Sequence, residues 1–199
     1  MSVIIHSVSE PTSGLLPIFR SDNQLRLLAY IFIHGDRSHT PAELSRATGI
    51  AQPTVSREVD RLVKAGVLTA YRRGQARMVE PNRHVAYSSD LNSLLIKVAG
   101  PPAILADLLR PIAGIEAGYI YGSWARRYFG EQGEYPHDVD LLVIGEPSID
   151  AVYDAASQAE GQLGLEVNPT IVSRDEWKQP QSVFLETVKR DRLVPVIEP

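Results

Sequence analysis

Two aspartates separated by one residue, Asp138 and Asp140, open the apolar run Leu141-Leu142-Val143-Ile144. In an extended strand, residues two apart project from the same face, so the two carboxylates stand side by side. They repel one another, and the start of a buried strand is a costly place for either charge. A divalent cation removes the conflict, because Mg²⁺ is commonly held by one or two carboxylates together with substrate phosphates. Separated from this pair by fourteen residues, Gly122-Ser123 follows the strand-like segment Ala117-Gly118-Tyr119-Ile120-Tyr121 and leads into Trp124-Ala125-Arg126-Arg127. A strand that turns through Gly-Ser into a helix offers backbone N–H groups and a hydroxyl to a phosphate. The chemistry implied is Mg²⁺-assisted handling of a phosphate ester.

These residues need a sheet to hold them. Strands are expected at 117–121 and 139–144, then at Gly164–Val172, and last at Leu193–Ile197, where Pro195 restricts the strand to an edge. Helices are expected after Pro101-Pro102, from Ala151 to Leu163 and from Gln181 to Lys189. Tyr121 and Trp124 read as core aromatics. The order Gly-Ser, a spacer, Asp-x-Asp and an apolar strand resembles the nucleotidyltransferase superfamily, particularly its small members. That resemblance implies that Gly122 and Ser123 hold a nucleoside triphosphate, with Arg126 and Arg127 as further phosphate contacts. It also implies that Asp138 and Asp140 bind metal and serve catalysis. The superfamily places a third carboxylate on a later strand. Here Asn168 falls at that position, and an amide is neither a base nor an anionic ligand. Glu166, on the same strand face, is the substitute and the third candidate catalytic residue.

The first part of the chain is patterned differently. Ser21-Asp22 can cap a helix bearing Leu25, Leu28, Ala29 and Phe32, stopped at Gly35-Asp36. Thr40-Pro41 with Glu43 is a capping-box pattern for a second, short helix ending at Gly49. A third helix runs to Ala65-Gly66, with Val55, Val59, Leu62 and Val63 on one stripe and Thr54, Arg57, Arg61 and Lys64 opposite. Two extended runs then flank Arg72-Arg73-Gly74-Gln75, a hairpin turn signal. Three helices and a hairpin in this order resemble winged-helix regulators of the arsenic-repressor and multiple-antibiotic-resistance types. Double-stranded DNA is the implied partner, met by Gln52, Thr54, Ser56, Arg57 and Arg61 of the third helix and by Arg72 and Arg73 of the wing.

Charge divides in the same way. Residues 20–84 carry eleven Lys/Arg against six Asp/Glu, and residues 85–199 carry nine against seventeen. A basic part suits phosphodiester and an acidic part suits cations. The chain has no cysteine, which excludes disulfides, thiolate metal sites and cysteine nucleophiles. The start, Met1 to His6, lacks a signal-peptide pattern, and no uninterrupted apolar run suggests a membrane span, so a cytoplasmic protein is expected. The expected fold class is α+β in two domains. A flexible arm (1–18) precedes a winged helix-turn-helix (19–87), a connector helix (88–99) and a nucleotidyltransferase-fold mixed sheet with flanking helices (100–199). The connector's Leu91, Leu94, Leu95 and Val98 form a stripe suited to a domain or homodimer contact. The functional expectation is a DNA-binding transcriptional regulator with a Mg²⁺-dependent, nucleoside-triphosphate-binding transferase domain. Alternatives are a catalytically inactive nucleotide sensor, or an antitoxin-like component with a toxin partner.

Overall fold

A computed structural model describes residues 18–131 and 136–198. The expected arm lies almost wholly outside the described residues. Helix α1 (Asp22–Ile33) begins where Ser21 accepts a hydrogen bond from the Gln24 amide. Helix α2 (Pro41–Thr48) has the full capping box between Thr40 and Glu43, and ends on left-handed Gly49. Helix α3 (Gln52–Lys64) starts directly after the three-residue turn Gly49–Ala51, with no side-chain cap. Its Val55 and Val59 are fully buried and Leu62 nearly so, which is the apolar stripe read from the sequence. Strands β1 (Leu68–Arg73) and β2 (Ala76–Pro81) pair antiparallel, with Arg73 opposite Ala76. The turn is therefore only Gly74-Gln75. Arg72 and Arg73 belong to the strand and not to the tip.

Helix α4 (Ser88–Ala99) has no side-chain cap despite Ser88-Ser89-Asp90, and α5 (Pro101–Leu109) follows after Gly100. Together, Ser88–Leu109 is a 22-residue stretch long and apolar enough to cross a membrane, contrary to the sequence expectation. Hydrophobic residues are spread through both helices without forming one unbroken run. Here Leu95, Leu105 and Leu109 are completely buried in the protein's own cores. The α4 stripe is also used within the chain. Leu95 lies in the core of the first unit, and Leu91, Leu94 and Val98 pack against that core. The stripe thus makes the domain contact that its spacing allowed, with Leu91, Leu94 and Val98 only partly buried by it.

The second unit is a four-stranded mixed sheet in the order β5-β4-β3-β6. Strand β3 (Ile115–Tyr121) is antiparallel to both β4 (Asp138–Gly145) and the edge strand β6 (Val194–Ile197), while β5 (Glu166–Val172) is parallel to β4. Parallel strands need a crossover, which α7 (Ile149–Leu163) supplies. Alternation splits the sheet's side chains between two cores. Val139, Leu141 and Val143 meet α5 and α7 residues such as Leu105, Leu109, Val152 and Ala156. Leu142 and Ile144 face the other way, toward Leu185 and Val188 of α9 (Val183–Arg190) and Trp177 of α8 (Arg174–Lys178). The short helix α6 (Gly122–Tyr128) follows β3.

Candidate functional site

Asp138 and Asp140 lie at the start of β4, on the face shared with Leu142 and Ile144. In the ladder, Asp138 is opposite Glu166 and Asp140 opposite Asn168 on β5, while Tyr121 of β3 is opposite Asp140. The register therefore brings together the residues singled out by spacing. Asn168 turns its amide to Asp138, donating to Oδ2 over 3.3 Å. Burial, and then the neighbouring Asp138 charge, hold the Asp140 carboxyl above its ordinary range, with Arg126 opposing. Gly122 has φ +71°, and a Cβ there would meet Asp140 Oδ2 at 2.4 Å. Glycine is required twice over, by the left-handed backbone and by the carboxylate lying against it.

Two carboxylates fit one hard cation whose remaining ligands are water and phosphate oxygens. They do not make a complete protein cage. Among the described residues, no three His, Asp or Glu side chains converge as a metal set. Glu166 is exposed at the edge of the face and does not close one. Arg126 has other partners, Asp191 at 3.2 Å and Glu131 at 4.0 Å, which tie α6 to the end of α9. Arg127 donates to the Glu131 carbonyl over 2.8 Å. Ser123 is half-buried in the first turn of α6.

The second surface belongs to α3 and the hairpin. Gln52 and Arg57 are exposed, and Thr54 and Ser56 are half-buried beside them. Arg57 reaches the Thr54 hydroxyl at 3.4 Å. Arg61 is exposed but paired with Glu58 at 3.0 Å, and Glu58 also accepts from Gln24 Nε2 at 2.6 Å. Gln24–Glu58–Arg61 thus pins α3 to α1. Asp60 and Arg77, 2.6 Å apart, brace the same helix against the wing. Arg72 and Arg73 are exposed on β1. Helix, helix, uncapped basic helix and arginine-bearing hairpin occur in that order within about sixty residues.

Residues 20–77 match the MarR family. The crystal structure of wild-type apo MarR from E. coli is 18% identical over 49% of this chain and 70% of that one, with a TM-score of 0.37. A cysteine-to-serine mutant of E. coli MarR complexed with operator DNA is 18% identical over 45% of this chain and 62% of that one, TM-score 0.35. The reduced form of E. coli MarR is 23% identical over 49% and 80% of the respective chains, TM-score 0.31. No curated protein matches the chain.

The MarR-type segment and the acid-bearing sheet meet at a contact that sequence reasoning missed. His34, at the end of α1, bonds through Nε2 to the Leu163 carbonyl at 2.8 Å, across 129 residues. With that nitrogen donating to a carbonyl, the ring's Nδ1 is the acceptor facing Arg37 at 3.4 Å. Gly164, left-handed at φ +66°, lies so close that a Cβ would be 3.0 Å from Tyr30 Cε2 and 3.1 Å from His34 Nε2. His39 is buried beside His34, and its backbone exchanges hydrogen bonds with Val79 of the wing. Burial, as the largest cause, lowers both histidines' pKa values from 6.5. Also missed were Thr170, whose hydroxyl lies 3.3 Å from that of Tyr121, and Phe184 beyond it. The period-2 pattern of β5 was the available signal for Thr170. None existed for Phe184, whose neighbour is 63 residues away.

Proposed function

We propose that the protein is a transcriptional regulator in which the MarR-type segment binds operator DNA and a C-terminal unit of nucleotidyltransferase type binds a nucleoside triphosphate with Mg²⁺. The observation that carries the DNA reading is the exposed face of α3, where Gln52, Thr54, Ser56 and Arg57 stand at a helix start lacking a side-chain cap and any acid in its first turn. Such a start attracts phosphate, and the side chains just inside it are those that reach base edges. Arg72 and Arg73 add phosphate contacts, while Arg61 contributes less because Glu58 already holds it. A homodimer reading two half-sites belongs to this proposal. Titration of the full chain with the duplex upstream of its own gene tests it. Affinity is expected to fall steeply as salt rises. Absence of any salt-sensitive duplex binding would overturn the reading.

For the C-terminal unit, the support is the register that sets Asp138 against Glu166 and Asp140 against Asn168 on one sheet face, with the Gly122 backbone lying against Asp140. Bound there, a divalent cation would neutralise the carboxylates and polarise a phosphate oxygen. Asp138 and Asp140 would hold it, and Gly122-Ser123 would face the phosphates. Asn168 in place of a third acid, with its amide spent on Asp138, favours binding over transfer. Transfer remains the second reading because Glu166 stands opposite Asp138 in the ladder. Labelled nucleoside triphosphates with Mg²⁺ separate the two. Release of pyrophosphate that Glu166→Gln abolishes, with nucleotide binding retained, establishes transfer. Binding without pyrophosphate release establishes a sensor.

A further inference from the structure

The acid pair occupies the open end of a sheet face that is otherwise covered. Beside Leu142, its ladder partner Tyr119 stacks with Trp177 of α8, ring centroids 6.4 Å apart, with Lys189 over the indole at 5.1 Å. In the middle, Leu185 and Val188 of α9 are buried against Tyr121 and Leu142. The start of α9 departs from this pattern. Val183 is 80% exposed and Phe184 46% exposed, although they directly precede buried Leu185. Phe184 stands edge-on to Tyr121, with centroids 5.8 Å apart and planes at 72°. Tyr121 is in turn the ladder neighbour of Asp140. Cross-strand neighbours on one face sit about 5 Å apart, so the exposed phenyl ring lies one side chain beyond the carboxylate pair.

We propose that Phe184, flanked by Val183, is the platform on which the base of a nucleoside triphosphate stacks while the triphosphate reaches the acid pair. The proposal rests on the reading that Asp138 and Asp140 hold a Mg²⁺–triphosphate. Three features of the ring support it. Its edge-on packing on Tyr121 fixes its orientation while leaving it half-open to solvent. It is anchored by buried Leu185 and Val188 of the same helix and so needs no ordering when a ligand arrives. It also offers no hydrogen-bonding group, so recognition is by stacking area, which favours purines over pyrimidines and discriminates poorly between the two purines. Tyr121 is the less suitable platform, being 9% exposed with its hydroxyl at Thr170.

The test is calorimetric titration of the full-length protein, in Mg²⁺, with inorganic tripolyphosphate, ATP, GTP and CTP. Wild-type protein is expected to bind the purine nucleotides roughly tenfold or more tightly than tripolyphosphate, the scale of one base–aromatic stack. Phe184→Ala should remove that advantage and leave tripolyphosphate binding unchanged, whereas Phe184→Trp should preserve it. Equal affinity of wild-type protein for tripolyphosphate and nucleotides, or an advantage that survives Phe184→Ala, overturns the platform and leaves the acid-pair reading intact. Failure of every anion to bind overturns both. If Phe184→Ala instead changes the sedimentation coefficient while nucleotide affinity stays constant, the patch is a protein contact and the proposal is wrong.

Discussion

Asp140 lies against the Gly122 backbone, and its proton affinity is raised mainly by burial and then by the Asp138 charge. The sign follows from that direction. A carboxyl with a raised folded-state pKa binds its proton more readily in the folded than in the unfolded chain. Stability therefore falls as pH rises above 3.8 through the folded value, and the cost persists at neutrality. Asp140→Asn is expected to raise the melting temperature at pH 7 without divalent ions, and to abolish any rise caused by Mg²⁺ with a nucleoside triphosphate. Scanning calorimetry of both proteins with and without Mg²⁺ checks this, and an unchanged Mg²⁺ response would count against the site. On the DNA side, Arg57→Ala should cost about 1–3 kcal/mol at a specific site. Arg73→Ala should weaken all duplexes alike and reduce the salt slope by about one unit. Filter binding at several salt concentrations distinguishes the two, because a base contact changes sequence preference and a phosphate contact does not.

Among the elements, the ends that depend on local chemistry agree best with expectation. Thr40 and Glu43 make α2's capping box within four consecutive residues, and the α3 stripe is buried as its spacing requires. Asn168 stands opposite Asp140 across parallel strands, but the sequence pattern alone fixed neither the strand order nor this register. What was not legible depends on residues far apart in sequence. Arg126 was expected to face phosphate, and no local signal pointed to its pairing with Asp191, 65 residues later. The α4 stripe was equally suited to a second chain, and only the tertiary fold places α1 against it. Gly164 illustrates how an element's end acquires a long-range role. Gly66→Ala places a Cβ in open space at φ +75°, whereas Gly164→Ala adds contacts with Tyr30 and His34 to a similar backbone penalty at φ +66°. The left-handed conformation alone costs about 1–2 kcal/mol. Gly164→Ala should therefore lower the urea midpoint distinctly more than Gly66→Ala.

For the molecule as a whole, the buried histidines make the joint between its units sensitive to acid. Burial disfavours protonation of His34 and His39 most, and Arg37 adds to it, while each ring's hydrogen bond to a backbone carbonyl, Asp36 and, for His39, Glu43 oppose it without prevailing. Their lowered pKa values mean that the unfolded chain binds protons first. The stability they confer is complete above the unperturbed value of 6.5, and is lost as pH falls below it toward the folded values. His34→Gln should flatten the dependence of the melting temperature on pH between about 5 and 7. It should leave wild-type behaviour at pH 8 less affected, since an amide can still donate to the Leu163 carbonyl. A pH profile parallel to that of wild type would show that His34 is not the sensitive group.

Helix α1 serves both cores. Its Leu28, Ile31 and Phe32 lie in the first, whereas Ala29 and Ile33 belong to the second, among Leu105, Leu163 and Leu165. Helix α4 likewise gives Leu95 to the first core from beyond the expected boundary near residue 87. A gene cut at that boundary would separate two halves of a shared helix packing rather than two free-standing parts. The N-terminal half would lose Leu95 and expose the back of α1. Exchanging one half for that of a distant relative would therefore require matching substitutions on α1 and α7, so the pair is expected to evolve as a single inherited block.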